Sequence, residues 1–357
     1  MHTFVKKLDY WLIFILFGIL STGLLTFYAM GPESHGVLVR HATFIGVGLA
    51  VMLVVSFFDY RILKNHSAPA MILYVFAVVL LGLALASQEI RGSSAWLRFM
   101  GFQFEPSEFA KLALLILLAK YFSQKHIEIY RAHHIIVSGF YVAIPLALTF
   151  LQPDLGSVIV YLALWVAMLL FAGIKRRHLL ALGMIGIVAI SLGWLLVLKP
   201  YQKTRIVSFI NPYVDARGSG YHTIQSRVTF GSGQWLGTFL TNRDETPVLV
   251  PEPYTDFTFA TFAQKFGFIG VLVLGVLFAL MTTRVGSIGL RANNNFAKLF
   301  SLGFLTIILT HVAVNGGMNV GILPITGIPF PMVSHGGSHL VTLMIGFGII
   351  QSIRARS

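Results

Sequence analysis

Apolar residues gather into ten segments, at about residues 10–30, 37–58, 69–88, 106–122, 135–151, 156–173, 178–199, 258–283, 296–316 and 338–353. Most of these runs approach the roughly 20 residues that an α-helix needs to cross a bilayer. The pattern predicts an all-α polytopic membrane protein with ten transmembrane helices. The first run, Tyr10–Met30, follows Lys6 and Lys7 as a signal peptide would. It is too long for an h-region, has no small-residue cleavage site and is followed by further spans. It therefore reads as a retained first helix.

The polar breaks are uneven. One connection runs from about 88 to 105, and a tight one holds Gln152-Pro153-Asp154-Leu155-Gly156. The longest, about 200–257, is rich in Gly, Pro, Tyr and charge, and a structureless loop of that length is unusual unless functional. Short helices are expected inside it, for instance around Thr223–Phe230. From Leu299 to Ile353 there is no Asp, Glu, Lys or Arg, yet the stretch carries Gly316, Gly317, Gly321, Pro324, Gly327, Pro329, Pro331, Gly336 and Gly337. Lipid cannot satisfy the amides of such irregular backbone, so protein or a watery cavity must surround it. A re-entrant or irregular segment is expected over about 316–337. The whole of 1–357 reads as a single integral membrane domain.

Composition agrees and narrows the classes. Of 357 residues, 56% are hydrophobic and 11% are charged, against about 25% charged in soluble chains. A soluble protein is excluded. The absence of cysteine removes disulfides, thiol nucleophiles and Cys-ligated metals. The net charge of +13 resembles that of a nucleic-acid binder, but the basic residues sort by side. With the N-terminus cytoplasmic, 15 of the 26 Lys and Arg fall on that side, with only Asp9, Asp59 and Glu128 as counter-charges. The Lys175-Arg176-Arg177 turn is the strongest single indicator. Both termini are then cytoplasmic, and no nucleic-acid partner is needed. Membrane lipids are an expected partner.

Most carboxylates consequently face outward, where candidate chemistry gathers. Asp256, at the outer mouth of the eighth span, reads either as a helix cap or as a general base or metal ligand for a lipid-linked substrate. Glu108 and Lys111 lie one turn apart on the fourth span. Each charge placed in hydrocarbon costs about 2.5–3.5 kcal/mol, so they must pair or face a polar interior. Asp154 begins the sixth span and suits a cap. Trp96 fits an interface anchor, and Arg98 a phosphate or a lipid headgroup. Lys199, Lys203, Arg205, Arg217 and Arg227 crowd the long connection, against anionic headgroups or a pyrophosphate. No Walker, zincin or Ser-His-Asp pattern occurs.

Read in order, a set of segments resembles the SEDS (shape, elongation, division and sporulation) family. They are Trp96-Leu97-Arg98, Phe104-Glu105-Pro106-Ser107-Glu108-Phe109-Ala110-Lys111 and Gln152-Pro153-Asp154-Leu155-Gly156. In the long connection come Lys199-Pro200-Tyr201-Gln202, Arg205-Ile206, Gly220-Tyr221-His222 and Gln225-Ser226. Pro251-Glu252, Thr255-Asp256-Phe257, Pro324-Ile325-Thr326-Gly327-Ile328-Pro329 and Ser334-His335-Gly336-Gly337-Ser338 complete the set. The short N-terminus is more like the elongation member than the division member. The resemblance implies a peptidoglycan glycosyltransferase at the outer face of the cytoplasmic (inner) membrane. Such a protein polymerises lipid II into a nascent glycan strand beside a class B penicillin-binding protein. It also implies that Asp256 is the catalytic base. Trp96, Arg98, Glu108, Lys111, Asp154, Lys203, Arg205 and Ser334 form the candidate substrate-binding set. No cofactor is certain, and a divalent cation (Mg or Mn) is left open.

Several positions depart from the family pattern. Gln264-Lys265 replace paired acids, Ala95 an arginine and Tyr254 a histidine. Gly231-Ser232-Gly233-Gln234-Trp235 lacks the usual Gly-Lys-Gly ending. His335 and His339 stand where tyrosine and serine are usual. Two other readings therefore stand beside the enzyme. A lipid-precursor transporter or flippase would use the broken 316–337 segment, and a non-catalytic scaffold of a cell-wall synthase would tolerate the lost carboxylates.

Overall fold

The computed structural model describes residues 7–87, 96–99, 102–125, 132–197, 203, 207, 209–215, 218–241 and 250–356. Ten long helices follow the apolar segments: α1 Tyr10–Ala29, α2 His35–Phe57, α3 Ser67–Leu85, α4 Pro106–Lys125, α5 Ala132–Leu151, α6 Leu155–Ala172, α7 Arg176–Leu192, α8 Thr258–Arg291, α9 Asn295–Val320 and α10 Gly337–Arg356. Among the described residues, nine helices are long and apolar enough to cross a membrane. The long helix outside that set is α4, which has 20 residues but carries Glu108, Lys111, Lys120 and Lys125.

Two expectations change. The chain is not wholly helical, because β1 (Leu97–Phe99) and β2 (Phe102–Phe104) form an antiparallel hairpin ahead of α4, pairing Leu97 with Phe104 and Arg98 with Gln103. The irregular segment is also shorter than expected. α9 continues through Gly316 and Gly317 to Val320, where Gly321 ends it in a left-handed turn at φ 81°. Gly317 packs on Leu323 rather than breaking the helix, so the non-helical stretch is 321–336. The long connection contains helices Ser219–Ser232 and Gly237–Thr241, as expected.

α9 lies at the centre, packed against α4, α6 and α8, while α10 pairs with α2 and α8 with α1. Small residues permit these approaches, since a Cβ on Gly303 would overlap Leu115 of α4 and one on Gly48 would overlap Leu340 of α10. α8 breaks at Gly267, whose φ is 66°. The 233–237 turn of the long connection plugs that break, with Phe268 N donating to Gln234 O (2.8 Å) and Ile269 N to Trp235 O (3.1 Å).

Candidate active site

Asp256 lies just before α8, but the residue in the cap position is Phe257, which makes no side-chain cap bond. The first-turn amides of a helix need acceptors, and α9 supplies one. Asn319 Oδ1 accepts from Ala260 N at 2.9 Å, a cap provided by another helix. The same side chain, with Asn315, grips Asp256 itself. Each Nδ2 donates to the Asp256 carbonyl at 3.0 Å. Asn315 also donates to Ile328 O at 2.7 Å, and His311 Nδ1 faces Pro329 O at 3.3 Å.

His311, Asn315 and Asn319 are fully buried and spaced by four residues, so they form a ladder on one face of α9. Nothing in the sequence reading singled them out. The available signal was a period-four row of polar residues inside the charge-free stretch that begins at Leu299.

The opposite side is held from 321–336. Ser334 Oγ donates to Thr255 O at 2.6 Å and accepts from Phe330 N at 3.0 Å. His335 N donates to Tyr254 O at 2.8 Å. Three successive carbonyls, those of residues 254, 255 and 256, are thus clamped through the main chain. The carboxylate of half-buried Asp256 stands beside Gly327, where an added Cβ would lie 3.8 Å from Oδ2. The left-handed φ of 77° at Gly327 favours the residue that leaves this approach open.

About one helical turn along α9, roughly 6 Å, Lys111 Nζ meets His311 Nε2 at 3.2 Å and Glu108 Oε1 at 2.8 Å. Glu108 Oε2 is 2.8 Å from His339 Nδ1. All four side chains are buried. With Nδ1–H of His311 directed at the Pro329 carbonyl, its Nε2 accepts from the ammonium. Glu108 and Lys111 therefore pair, and both histidines extend the pair into a network. Just outside α4, Glu105 is pushed up to about 8, by burial first and then by the Glu108 carboxylate.

The other candidates are more dispersed. Asp154 caps α6, its Oδ1 accepting from Ser157 N at 3.0 Å. Its turn reaches the site through Gly156, which packs against Thr326 O and Ile328. Trp96 is half-buried and its carbonyl accepts from Ser87 Oγ at 3.1 Å. Arg98 lies in β1, positioned by its backbone pairing with Gln103. Lys203 Nζ stands 5.9 Å from the centre of the Trp194 ring. Arg227 is engaged with Gly321 O at 2.6 Å. Arg205, Lys199, Arg217 and Ala95 lie outside the described residues.

Comparison with known proteins finds relatives that match almost the whole chain. The family model for the cell cycle proteins FtsW, RodA and SpoVE matches residues 2–357. The chain belongs to this family. It is 32% identical over 349 residues to the peptidoglycan glycosyltransferase MrdB of Escherichia coli K12, covering 97% of this chain and 93% of that protein. A structure described as showing structural coordination of polymerization and crosslinking by a peptidoglycan synthase complex superposes with a TM-score of 0.85 at 28% identity, covering 97% of each chain. The crystal structure of an aspartate-to-alanine mutant of the rod shape determining protein RodA from Thermus thermophilus gives a TM-score of 0.74 at 27% identity, again over 97% of each chain.

In this FtsW/RodA/SpoVE member, His339 gives Glu108 a second partner beside Lys111. Gln264 is buried in the first half of α8, and its carbonyl accepts from Thr238 Oγ1 at 3.3 Å. A divalent cation finds a poor set of donors. Among the described residues, the metal-ligand group of three is Glu108, His311 and His339, with ligand atoms within 4.8 Å of one another. Two of these donors are imidazoles, whereas Mg and Mn favour oxygen. The Lys111 ammonium already bridges Glu108 and His311. The group does not fit Mg or Mn.

Proposed function

We infer that this multi-pass membrane protein is a peptidoglycan glycosyltransferase, and we propose that Asp256 is its general base. The observation that carries the assignment of Asp256 is its clamp. Main-chain carbonyls on both sides are bonded to α9 and to 321–336 while the carboxylate stands beside a glycine. Catalytic groups need such fixed placement, because misplacement by about 1 Å can cost on the order of a hundredfold in rate.

The substrate is lipid II. The acceptor sugar hydroxyl attacks the anomeric carbon of the donor, the bond from that carbon to the undecaprenyl pyrophosphate oxygen breaks, and the hydroxyl proton passes to Asp256. The configuration inverts. A carboxylate with a reference pKa near 4 is a weak base, so it acts late, once the oxygen is already bonding to an oxocarbenium-like centre. Stabilising the departing pyrophosphate is the larger demand, and Arg98, Lys203 and Arg205 are assigned to it. Lys111 is committed to Glu108 and His311 and instead supports the floor of the site, with Trp96, Asp154 and Ser334 shaping its walls.

α1 to α10 are the ten spans, with both termini cytoplasmic and Asp256 at the outer face. The basic turns at Lys64 and at Lys175-Arg176-Arg177 support that orientation. The similarity to the synthase complex supports a class B penicillin-binding protein as partner, crosslinking the strand as it emerges.

The test is polymerisation of purified lipid II by the reconstituted protein, with and without the partner. Asp256→Asn is expected to lower the rate at least about a hundredfold while leaving thermal stability unchanged. Undiminished polymerisation by that variant would overturn the role of Asp256.

A further inference from the structure

At the end of the bundle away from Asp256, three arginines converge on one cavity. It has a volume of about 170 Å³ and is lined by Arg284, Ser287, Ile288, Arg291 and Arg354. Arg284, Ser287, Ile288 and Arg291 recur at helical spacing on the last turns of α8, so they share one face. Arg354 comes from the last turn of α10.

One carboxylate, that of Asp9, faces this group, and it is already engaged. Its Oδ2 accepts from Arg284 Nε at 2.7 Å, and its Oδ1 accepts from Leu12 N at 2.9 Å as the cap of α1. Gln351 completes the lock through the main chain of Asp9, at 2.8 and 3.1 Å. Arg354 reaches the same oxygen only at 3.9 Å and remains half-exposed. Arg291 makes no ion pair among the described residues. Three guanidinium groups therefore line a cavity whose one facing carboxylate is met by Arg284 and Arg354, and the cavity keeps an excess of about two positive charges.

We propose that this cavity binds the phosphate group of an anionic phospholipid headgroup. Guanidinium groups offer paired donors that match phosphate oxygens, and the Ser287 hydroxyl lies beside them. Ile288 provides an apolar wall, as a molecule continuing into acyl chains requires and a free phosphate does not. The cavity opens where α1 begins and α8 and α10 end, at the edge of the apolar helices, which is the depth of lipid headgroups. A bound headgroup would tie together the ends of three helices that the Asp9 carboxylate links only in part. The site depends on the membrane setting and not on the chemistry at Asp256.

The experiment is native mass spectrometry of the full-length protein in detergent, titrated with phosphatidylglycerol, with phosphatidylcholine, or with inorganic phosphate. One phosphatidylglycerol is expected to be retained at least about tenfold more tightly than phosphatidylcholine, and added salt should weaken the preference. The Arg291→Gln, Arg354→Gln double variant should reduce that preference about tenfold. Arg291→Gln alone, which leaves the contact between Arg354 and Asp9 in place, should reduce it by a smaller factor. Arg177→Gln removes an exposed charge at the start of α7 and should leave the preference unchanged. Displacement of phosphatidylglycerol by millimolar inorganic phosphate would support recognition of the phosphate group. Equal retention of the two lipids would overturn the proposal. So would an undiminished preference in the double variant, an equal loss in Arg177→Gln, or binding of inorganic phosphate without binding of phosphatidylglycerol.

Discussion

α7 and α10 are both membrane-length helices, yet they occupy opposite environments. The Arg176–Leu196 segment has a mean hydropathy of 2.4 and none of its most apolar window is buried in protein. Gly337–Arg356 has a mean hydropathy of only 1.2, and 78% of its window is buried. α9, at 1.8 and 61%, follows α10. The two least apolar of these helices are the two most buried. Lipid tails are as apolar as leucine, so burying more leucine between helices gains little. Close packing and internal hydrogen bonds hold the bundle instead. Polar side chains such as Asn315, Asn319, His311 and His339 avoid hydrocarbon by turning toward one another, and glycines such as Gly303 let backbones approach. The inner helices of this protein are therefore marked by their polar and small residues, and its lipid-facing helix by the absence of any buried partner.

Substitutions on the two kinds of helix should differ in the size of their effect. The largest effect is expected from Asn319→Leu, which makes α9 more apolar. It removes the acceptor for Ala260 N and one of two donors to the Asp256 carbonyl. A stability loss of about 2–3 kcal/mol is expected by thermal unfolding, with at least a tenfold fall in lipid II polymerisation. Retained stability and activity would mean that apolar content alone organises α9.

A smaller effect is expected from His339→Ser. It removes a buried bond to a charged carboxylate, worth about 1.5–3 kcal/mol, and leaves the pairing of Glu108 with Lys111 intact. The unfolding temperature should fall by several degrees while polymerisation stays within about threefold. A collapse of activity at unchanged stability would move the Glu108 network from support into the chemistry. The smallest effect is expected from Ile187→Ala on α7, where the side chain is 67% exposed. Its unfolding should shift by no more than about 0.5 kcal/mol. A loss above about 1 kcal/mol would show that α7 packs against a partner.

Much of the fold was legible because a membrane span is a local property. Length and apolar content located all ten long helices, most of their ends to within a few residues and the ends of α7 and α8 to within about eight. Asp154 was readable as a cap from its position ahead of α6. The resemblance picked out Asp256. The ladder of His311, Asn315 and Asn319 escaped notice because each residue, taken singly, is an ordinary polar interruption. The β1–β2 hairpin escaped because two three-residue strands have too short a pattern to stand out. The expected break at Gly316 and Gly317 failed for a related reason. Glycine permits a break but does not impose one, and here the helix closes around Leu323.

By itself, then, the sequence determined that this chain lives in a membrane as a helical bundle, which family it joins, and which carboxylate stands first among candidates. These follow from composition, span length and contiguous motifs, all of which are read along the chain. Only the tertiary structure decided how Asp256 is held. The clamp joins residues 63 positions apart at Asn319 and 79 apart between Thr255 and Ser334. It likewise decided that His339 partners Glu108 and that Asp9 meets Arg284 from the far end of the chain. Hydrogen bonds and ion pairs act over a few ångströms, whereas the partners that form this site are distant in sequence and meet only when the helices pack.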